Sequence, residues 1–295
     1  MKRIISYIIS NEDEGKTIYN YLREHFYPVK IITHLKHTEN SVCLNGIPVF
    51  LNSVLSQGDN LVINYFEDSE SENIIPVNLE FKIVYEDEDI MVVDKPADMP
   101  VHPAINNFDN TLANGIAYYF NSKNEHLVFR CINRLDRNTS GLLIVAKHRL
   151  SEAILSDFMK KREIKREYLA LAKGIFEEKS GTIDLPIGRV NESIIERFVD
   201  FKNGDRAITN YEVINETSLD DMPCSLLRIK LDTGRTHQIR VHMSYIGHPL
   251  LGDSLYNKEP GKLHRQALHS HIIEFTHPIT LNLMRFVSDI DFTQL

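Results

Sequence analysis

The segment NRLDRNTSGLLIVA, residues 133–146, places charged and polar side chains directly before an uninterrupted apolar run. An apolar run of this length is typical of a buried central strand. Asp136 should therefore lie at the edge of the core, partly shielded from water. Because burial alone raises the pKa of a carboxyl group, Asp136 can stay ionised as a nucleophile only beside a fixed cation. The alternative is that Asp136 caps a turn, or pairs structurally with Arg134 or Arg137.

A second dense segment, TGRTHQIRVH, spans residues 233–242. Thr236 is predicted to cap a helix that Gly247 ends. Arg235 would precede this helix and Arg240 would lie on it, so the two side chains project differently. One arginine could bind a phosphate and the other the buried carboxylate. The alternative is a charged helix start that faces solvent.

Three histidines near this helix raise the question of a metal site: His237, His242 and His248. Their spacing matches neither the HExxH pattern nor a zinc finger. We therefore predict no metal, although a metal-dependent hydrolase remains an alternative function.

Tyr168 lies in a segment, 167–174, whose alternation predicts a strand. It would share a face with Ala170 and Ala172, which leave room above its ring. A tyrosine there could stack on a base or accept a proton, or it could simply pack. The preceding residues 160–166 form a basic cluster that suits phosphate binding or a solvated helix end.

Strands and helices intermix along the chain, which predicts an α+β fold. Strands are expected at 81–85, 90–93, 142–146 and 225–232, and a helix is expected after a cap at Ser151. Nearer the N-terminus, Asn45-Gly46 indicates a hairpin and Gly58-Asp59 a turn. The acidic stretch 67–73 resembles a linker, which divides the chain into domains 1–75 and 76–295.

The bulk composition is that of a globular protein, with 42% hydrophobic and 25% charged residues. Its 3 cysteines lie far apart and form no CxxC pair, which favours a reduced, cytoplasmic protein. No stretch approaches the ~20 apolar residues of a membrane span. The net charge of −8 argues against nonspecific polyanion binding but permits a local basic groove. A monomer is the default oligomeric state.

Together these segments resemble the RluA family of pseudouridine synthases. The resemblance is carried, in order, by segments that cover about residues 80–290: DKPADMPVHP at 94–103, RLDRNTSG at 134–141, KREY at 165–168, LPIGR at 185–189, TGRTHQIRVH at 233–242, GHP at 247–249, GD at 252–253 and FTHP at 275–278. Residues 1–75 are similar, more weakly, to the small RNA-binding domain named after ribosomal protein S-four. This layout is that of the RluC and RluD enzymes.

The resemblance implies a pseudouridine synthase fold, with a central mixed, mainly antiparallel sheet, a catalytic cleft and a small N-terminal α/β domain. It also implies isomerisation of uridines in structured RNA, with ribosomal RNA favoured over transfer RNA. Asp136 is the implied nucleophile, Arg240 its cation and Tyr168 the residue that packs on the base. Arg134 fills the space of the flipped base, and phosphate contacts are expected from Arg137, Lys165, Arg166 and Arg235. No metal or nucleotide cofactor is implied.

Two departures from the family pattern accompany this resemblance. Asn133 stands where the family usually has histidine; it forms hydrogen bonds but cannot titrate, so we expect activity to survive. Residues 1–75 carry ten acidic and six basic side chains, a net charge of −4, so the S-four-like domain is a degenerate copy. A non-catalytic RNA-binding protein on the same scaffold is the other alternative function.

Overall fold

The computed structural model describes residues 2–67, 74–104, 107–190 and 195–292. Within these ranges, three sheets and five α-helices make up an α+β fold. The helices are α1 (Ile18–Glu24), α2 (Val29–His37), α3 (Leu112–Ser122), α4 (Arg149–Lys160) and α5 (Gln238–Tyr245). The strands are β1 (Lys2–Ile8), β2 (Val42–Leu44), β3 (Ile47–Pro48), β4 (Asn60–Phe66), β5 (Lys82–Glu86), β6 (Ile90–Lys95), β7 (Ser140–Ala146), β8 (Lys165–Lys173), β9 (Ser180–Asp184), β10 (Ile187–Arg189), β11 (Arg197–Val199), β12 (Ile208–Leu219), β13 (Met222–Leu231), β14 (Leu268–Thr276) and β15 (Leu283–Val287).

The largest sheet has nine strands in the order β5-β6-β7-β14-β8-β13-β12-β9, with β15 paired to β14. The pairing of β7 with β14 is parallel. The other pairs in this sheet are antiparallel, which confirms the predicted mixed, mainly antiparallel arrangement.

The centre of this sheet is buried on both faces. All seven residues of β7 are buried, which explains why residues 142–146 are continuously apolar rather than alternating. Leu142 and Ile144 pack into one hydrophobic cluster, and Leu143 and Val145 into another on the opposite face. The second cluster also contains Tyr168 and residues of α5, so the segments singled out from the sequence share one face of the sheet.

Gly141 permits the close parallel approach of β7 to β14. Its φ is +109°, and a Cβ atom there would lie 2.3 Å from the carbonyl oxygen of Ser270. Only glycine satisfies both conditions, so this position sets where the polar loop before β7 enters the sheet.

Two predicted helix caps were wrong. α4 begins at Arg149, and the side chain of His148 accepts the capping hydrogen bond from the backbone N–H of Ser151. α5 begins at Gln238 rather than after Thr236, because His237 adopts a left-handed conformation with φ +57°. In both cases a histidine occupies a position where serine or threonine is the usual choice.

The N-terminal residues form a four-stranded sheet in the order β1-β4-β2-β3, with the predicted hairpin at Asn45-Gly46 and the predicted strand after Gly58-Asp59. This part packs against the large sheet. Arg3 donates two hydrogen bonds to Asp89, at 2.7 and 3.0 Å, and Glu67 pairs with Arg130. Residues from both parts join one hydrophobic cluster.

The division into domains 1–75 and 76–295 stays a prediction. Residues 68–73 of the predicted acidic linker lie outside the described residues. None of the described helices combines the length and the apolar character that crossing a membrane requires.

Candidate active site

The candidate nucleophile lies on a loop that we call the Asp136 loop, residues 133–139, directly before β7. Asn133 at its start is buried, and its side-chain oxygen accepts a hydrogen bond from the backbone N–H of Ile144 at 2.9 Å. Its amide nitrogen donates to the carbonyl of Leu142 at 3.4 Å. Asn133 therefore fixes the loop to the strand through a neutral side chain, a role that requires no titration.

Two cations, the fully buried Lys95 and the partly buried Arg265, bind backbone carbonyls of the Asp136 loop. Lys95 is fully buried and donates to the carbonyls of Pro96, Met99 and Arg137 at 2.7, 2.8 and 3.0 Å. Arg265 donates to the carbonyl of Asn138 at 3.1 Å. Burial lowers the pKa of Lys95 to about 7, with a further decrease from the charge of Arg265. Two groups from outside the loop therefore hold the two residues that directly follow Asp136.

Arg240 joins Asp136 to a second carboxylate, that of Asp253. Its Nη1 donates to Oδ2 of Asp136 at 3.2 Å, as the resemblance implied. Its Nε and Nη2 form a bidentate pair with Asp253 at 2.7 and 2.8 Å. The Asp253 side chain is fully buried, whereas that of Asp136 is 25% exposed. One guanidinium therefore serves two carboxylates, and the surplus negative charge faces the open side.

His237 and Tyr256 complete this cluster. Nε2 of His237 lies 3.8 Å from Oδ2 of Asp136, and its Nδ1 lies 2.8 Å from the Tyr256 hydroxyl. The Tyr256 ring also lies 5.0 Å from the guanidinium carbon of Arg240, within cation–π range. Burial lowers the pKa of His237, which favours the neutral form of its imidazole.

Tyr168 lies on β8 and is buried. Burial raises the pKa of its hydroxyl, the Arg166 guanidinium lowers it, and the Asp136 charge raises it again. Arg166, two residues earlier, has a buried Nε without a hydrogen-bond partner in the described part of the chain. A Cβ atom at Gly234 would lie 3.3 Å from its Nη1, so this glycine leaves room for the guanidinium.

The remaining predicted RNA contacts are exposed cations. Arg137 pairs with Asp98 at 2.7 Å, Lys165 with Glu274 at 3.0 Å and Arg235 with Asp205 at 3.2 Å. Such surface pairs contribute little to stability, so they can exchange for a phosphate at low cost. Arg134 is exposed one residue before the buried Leu135.

The three histidines considered as metal ligands bind different protein groups. His242 contacts Thr209 and the carbonyl of Leu185, His248 contacts the carbonyl of Lys173, and His237 contacts Tyr256. Among the residues that the structure describes, these three do not form a metal-ligand cluster.

The sequence reasoning assigned no role to several residues around Asp136. Asp253 and Lys95 contribute buried charges, Arg265 contributes a partly buried one, and His237 was considered only as a metal ligand. The sequence signal that could have identified such a buried charge is a charged residue close to an apolar segment, as Lys95 is to residues 90–93. That signal cannot show which distant group the charge binds.

Replacing Asn133 with alanine is expected to lower the free energy of unfolding by about 1–3 kcal/mol, because the buried N–H of Ile144 loses its partner. The turnover rate of the folded enzyme should stay within about threefold of wild type, since Asn133 is not assigned a chemical step. Urea unfolding and initial rates on RNA measure the two effects. Asn138→Ala is the control, with a stability change below ~0.5 kcal/mol. A large rate loss in a stable N133A variant would contradict the anchoring role.

The chain is similar to known proteins in sequence and in fold. The sequence profile described as RNA pseudouridylate synthase matches residues 89–245. The Bacillus subtilis "Uncharacterized RNA pseudouridine synthase YjbO" is 38% identical over 270 residues, 92% of this chain and 94% of that protein. "Ribosomal large subunit pseudouridine synthase D" of Pasteurella multocida is 35% identical over 273 residues, 87% and 82% of the two chains. The solved structure of Human RNA Pseudouridylate Synthase Domain Containing 1 superposes with a TM-score of 0.61 at 27% identity, covering 75% and 86%.

Proposed function

Because this chain belongs to the RNA pseudouridylate synthase family, we propose that it isomerises specific uridines of ribosomal RNA to pseudouridine, with Asp136 as the nucleophile. The observation that carries the proposal is the Asp136 carboxylate, bound by Arg240 and open to solvent on one side. The names of the relatives support ribosomal RNA as the substrate class. The enzyme would act in the cytoplasm as a monomer.

The reaction balances without a co-reactant. The bond between N1 of the uracil and C1′ of the ribose breaks, and a bond between C5 and C1′ forms. C5 loses a proton and N1 gains one, so the product is an isomer of the substrate. No atom is oxidised or reduced and no group is transferred from outside, so the chemistry requires neither a metal nor a nucleotide cofactor.

Access to the glycosidic bond requires that the target base leave its stack. Flipping costs a few kcal/mol and is easiest in a loop or a distorted stem. Arg134, exposed on the Asp136 loop, is suited to fill the vacated space. Arg137, Lys165, Arg166 and Arg235 would bind phosphates of the surrounding backbone.

Asp136 would attack the ribose, or assist departure of the base, and the base would then reattach through C5. Arg240 binds the Asp136 carboxylate through one N–H and Asp253 through a bidentate pair, so its positive charge is shared between the two carboxylates. The raised pKa of Tyr168 favours a packing role for its ring over proton transfer, since a protonated phenol is a poor base.

The substrate class is tested by mapping pseudouridines in all RNAs of a strain that lacks the protein. We expect a loss confined to one or a few positions of ribosomal RNA, and unchanged pseudouridines elsewhere. A loss in transfer RNA would assign the alternative substrate. An unchanged map would contradict the enzymatic function and favour a non-catalytic RNA-binding protein.

A further inference from the structure

His237 has an unusual backbone for the residue that precedes a helix. Its φ is +57° and its ψ +19°, a left-handed conformation that costs about 1 kcal/mol or more for a residue other than glycine, asparagine or aspartate. This conformation turns its side chain inward, so that only 9% of it is exposed. Strain of this kind persists where the surroundings require a particular side-chain position. Here that position is beside Asp136.

The Tyr256 hydroxyl determines which nitrogen of His237 carries the proton. The hydroxyl oxygen accepts a hydrogen bond from the backbone N–H of Arg197 at 2.9 Å. Its own proton is therefore available for Nδ1 of His237, 2.8 Å away. With Nδ1 as acceptor, the neutral imidazole carries its hydrogen on Nε2. The opposite tautomer would direct a lone pair of Nε2 at the Asp136 carboxylate, which is repulsive.

The two donors near Asp136 approach the same oxygen. Nη1 of Arg240 lies 3.2 Å from Oδ2, and Nε2 of His237 lies 3.8 Å from it. Within the described ranges, no residue donates a hydrogen bond to Oδ1. One oxygen of the carboxylate is therefore bordered by protein donors, and the other is available to a substrate.

We propose that His237 is a positioning residue for Asp136: its Nε2–H and the Nη1–H of Arg240 together hold Oδ2, so that Oδ1 faces the target ribose. The inference rests on the proposed function, because it takes Asp136 as the nucleophile. At 3.8 Å the histidine is just beyond hydrogen-bond distance. Contacts of this kind commonly shorten when substrate binds.

A neutral histidine suits this role better than another cation. Arg240 already supplies one positive charge, and a second would make the carboxylate a weaker nucleophile. Burial lowers the pKa of His237, the Asp136 charge opposes that decrease, and the Arg240 charge adds to it. Once substrate binding shortens the 3.8 Å contact, the neutral imidazole donates a hydrogen bond to Oδ2 without adding charge.

Two amide substitutions distinguish the roles of the two nitrogens of the His237 ring. In His237→Asn the amide can replace Nδ1 toward Tyr256, but it is too short to reach Asp136. Asparagine also tolerates the left-handed backbone, so this variant should fold at least as stably as wild type. In His237→Gln the longer side chain places an amide N–H near the position of Nε2.

The test compares kcat and KM of the intact protein on an RNA that contains the target uridine. We expect His237→Asn to lower kcat roughly 10- to 100-fold, with KM for the RNA within about twofold of wild type. His237→Gln should recover most of that loss. Melting temperatures of both variants are measured in parallel.

Wild-type kcat in His237→Asn would overturn the inference. Equal losses of kcat in both variants would also overturn it, since they would indicate a requirement for the ring itself. Asp136→Asn, assayed on the same RNA, distinguishes failure of the proposed function from failure of this inference. Activity of Asp136→Asn would contradict the proposed nucleophile. An inactive Asp136→Asn together with a fully active His237→Asn would contradict only the role of His237.

Discussion

Replacing Asp136 with asparagine is expected to lower the rate of pseudouridine formation by at least ~10⁴-fold, because a neutral amide cannot replace a carboxylate as the nucleophile. Asparagine preserves the size of the side chain and can still accept from Nη1 of Arg240. The affinity for RNA should therefore stay within about threefold. Single-turnover kinetics and a binding titration on the same RNA measure the two quantities.

Asp98→Asn is the matched control for this substitution. Asp98 is exposed and pairs with Arg137 on the surface next to the Asp136 loop. Because exposed ion pairs contribute little, this variant should keep nearly full activity. If the D136N variant formed pseudouridine at a rate within about tenfold of wild type, the nucleophile would be another group.

Replacing Arg240 with methionine is expected to cost about 3–5 kcal/mol of stability, because it leaves the fully buried Asp253 without its cation. The backbone N–H groups of Leu255 and Tyr256, at 3.1 and 3.3 Å, are the other donors near that carboxylate. Activity should also fall, by roughly 10²-fold or more, since Asp136 loses its donor. Urea unfolding and turnover of the folded fraction measure the two effects.

The double variant Arg240→Met with Asp253→Asn tests the cause of that instability. A neutral amide is less costly to bury than an unpaired carboxylate, so part of the lost stability should return while activity stays low. If Arg240→Met alone were as stable as wild type, Asp253 would not depend on this guanidinium. If the double variant were active, Arg240 would not be needed to hold Asp136.

Local patterns were sufficient to predict many elements of the fold. The hairpin at Asn45-Gly46 and the strand over 142–146 follow from turn chemistry and from a continuous apolar run, and the structure confirms both. The two helix starts were wrong because their cap positions are occupied by histidines. The left-handed backbone of His237 depends on tertiary contacts with Tyr256 and Asp136, and helix-capping propensities do not take such contacts into account.

The candidate site was less accessible to pattern reasoning. The need for a cation beside Asp136 follows from physical chemistry, but its identity as Arg240 came from the family resemblance. Neither the physical chemistry of the sequence nor the family resemblance predicted the role of Asp253. Its bidentate pair with Arg240 means that the guanidinium is shared, and only the three-dimensional arrangement reveals that sharing.

The central claim is that the carboxylate of Asp136 converts uridine to pseudouridine in cellular RNA. The most direct measurement is a pseudouridine map of a strain that lacks the protein, after expression of either the wild-type chain or Asp136→Asn at equal levels. We predict that the missing pseudouridines return with the wild type and stay absent with the variant. Their return with both proteins would contradict the account.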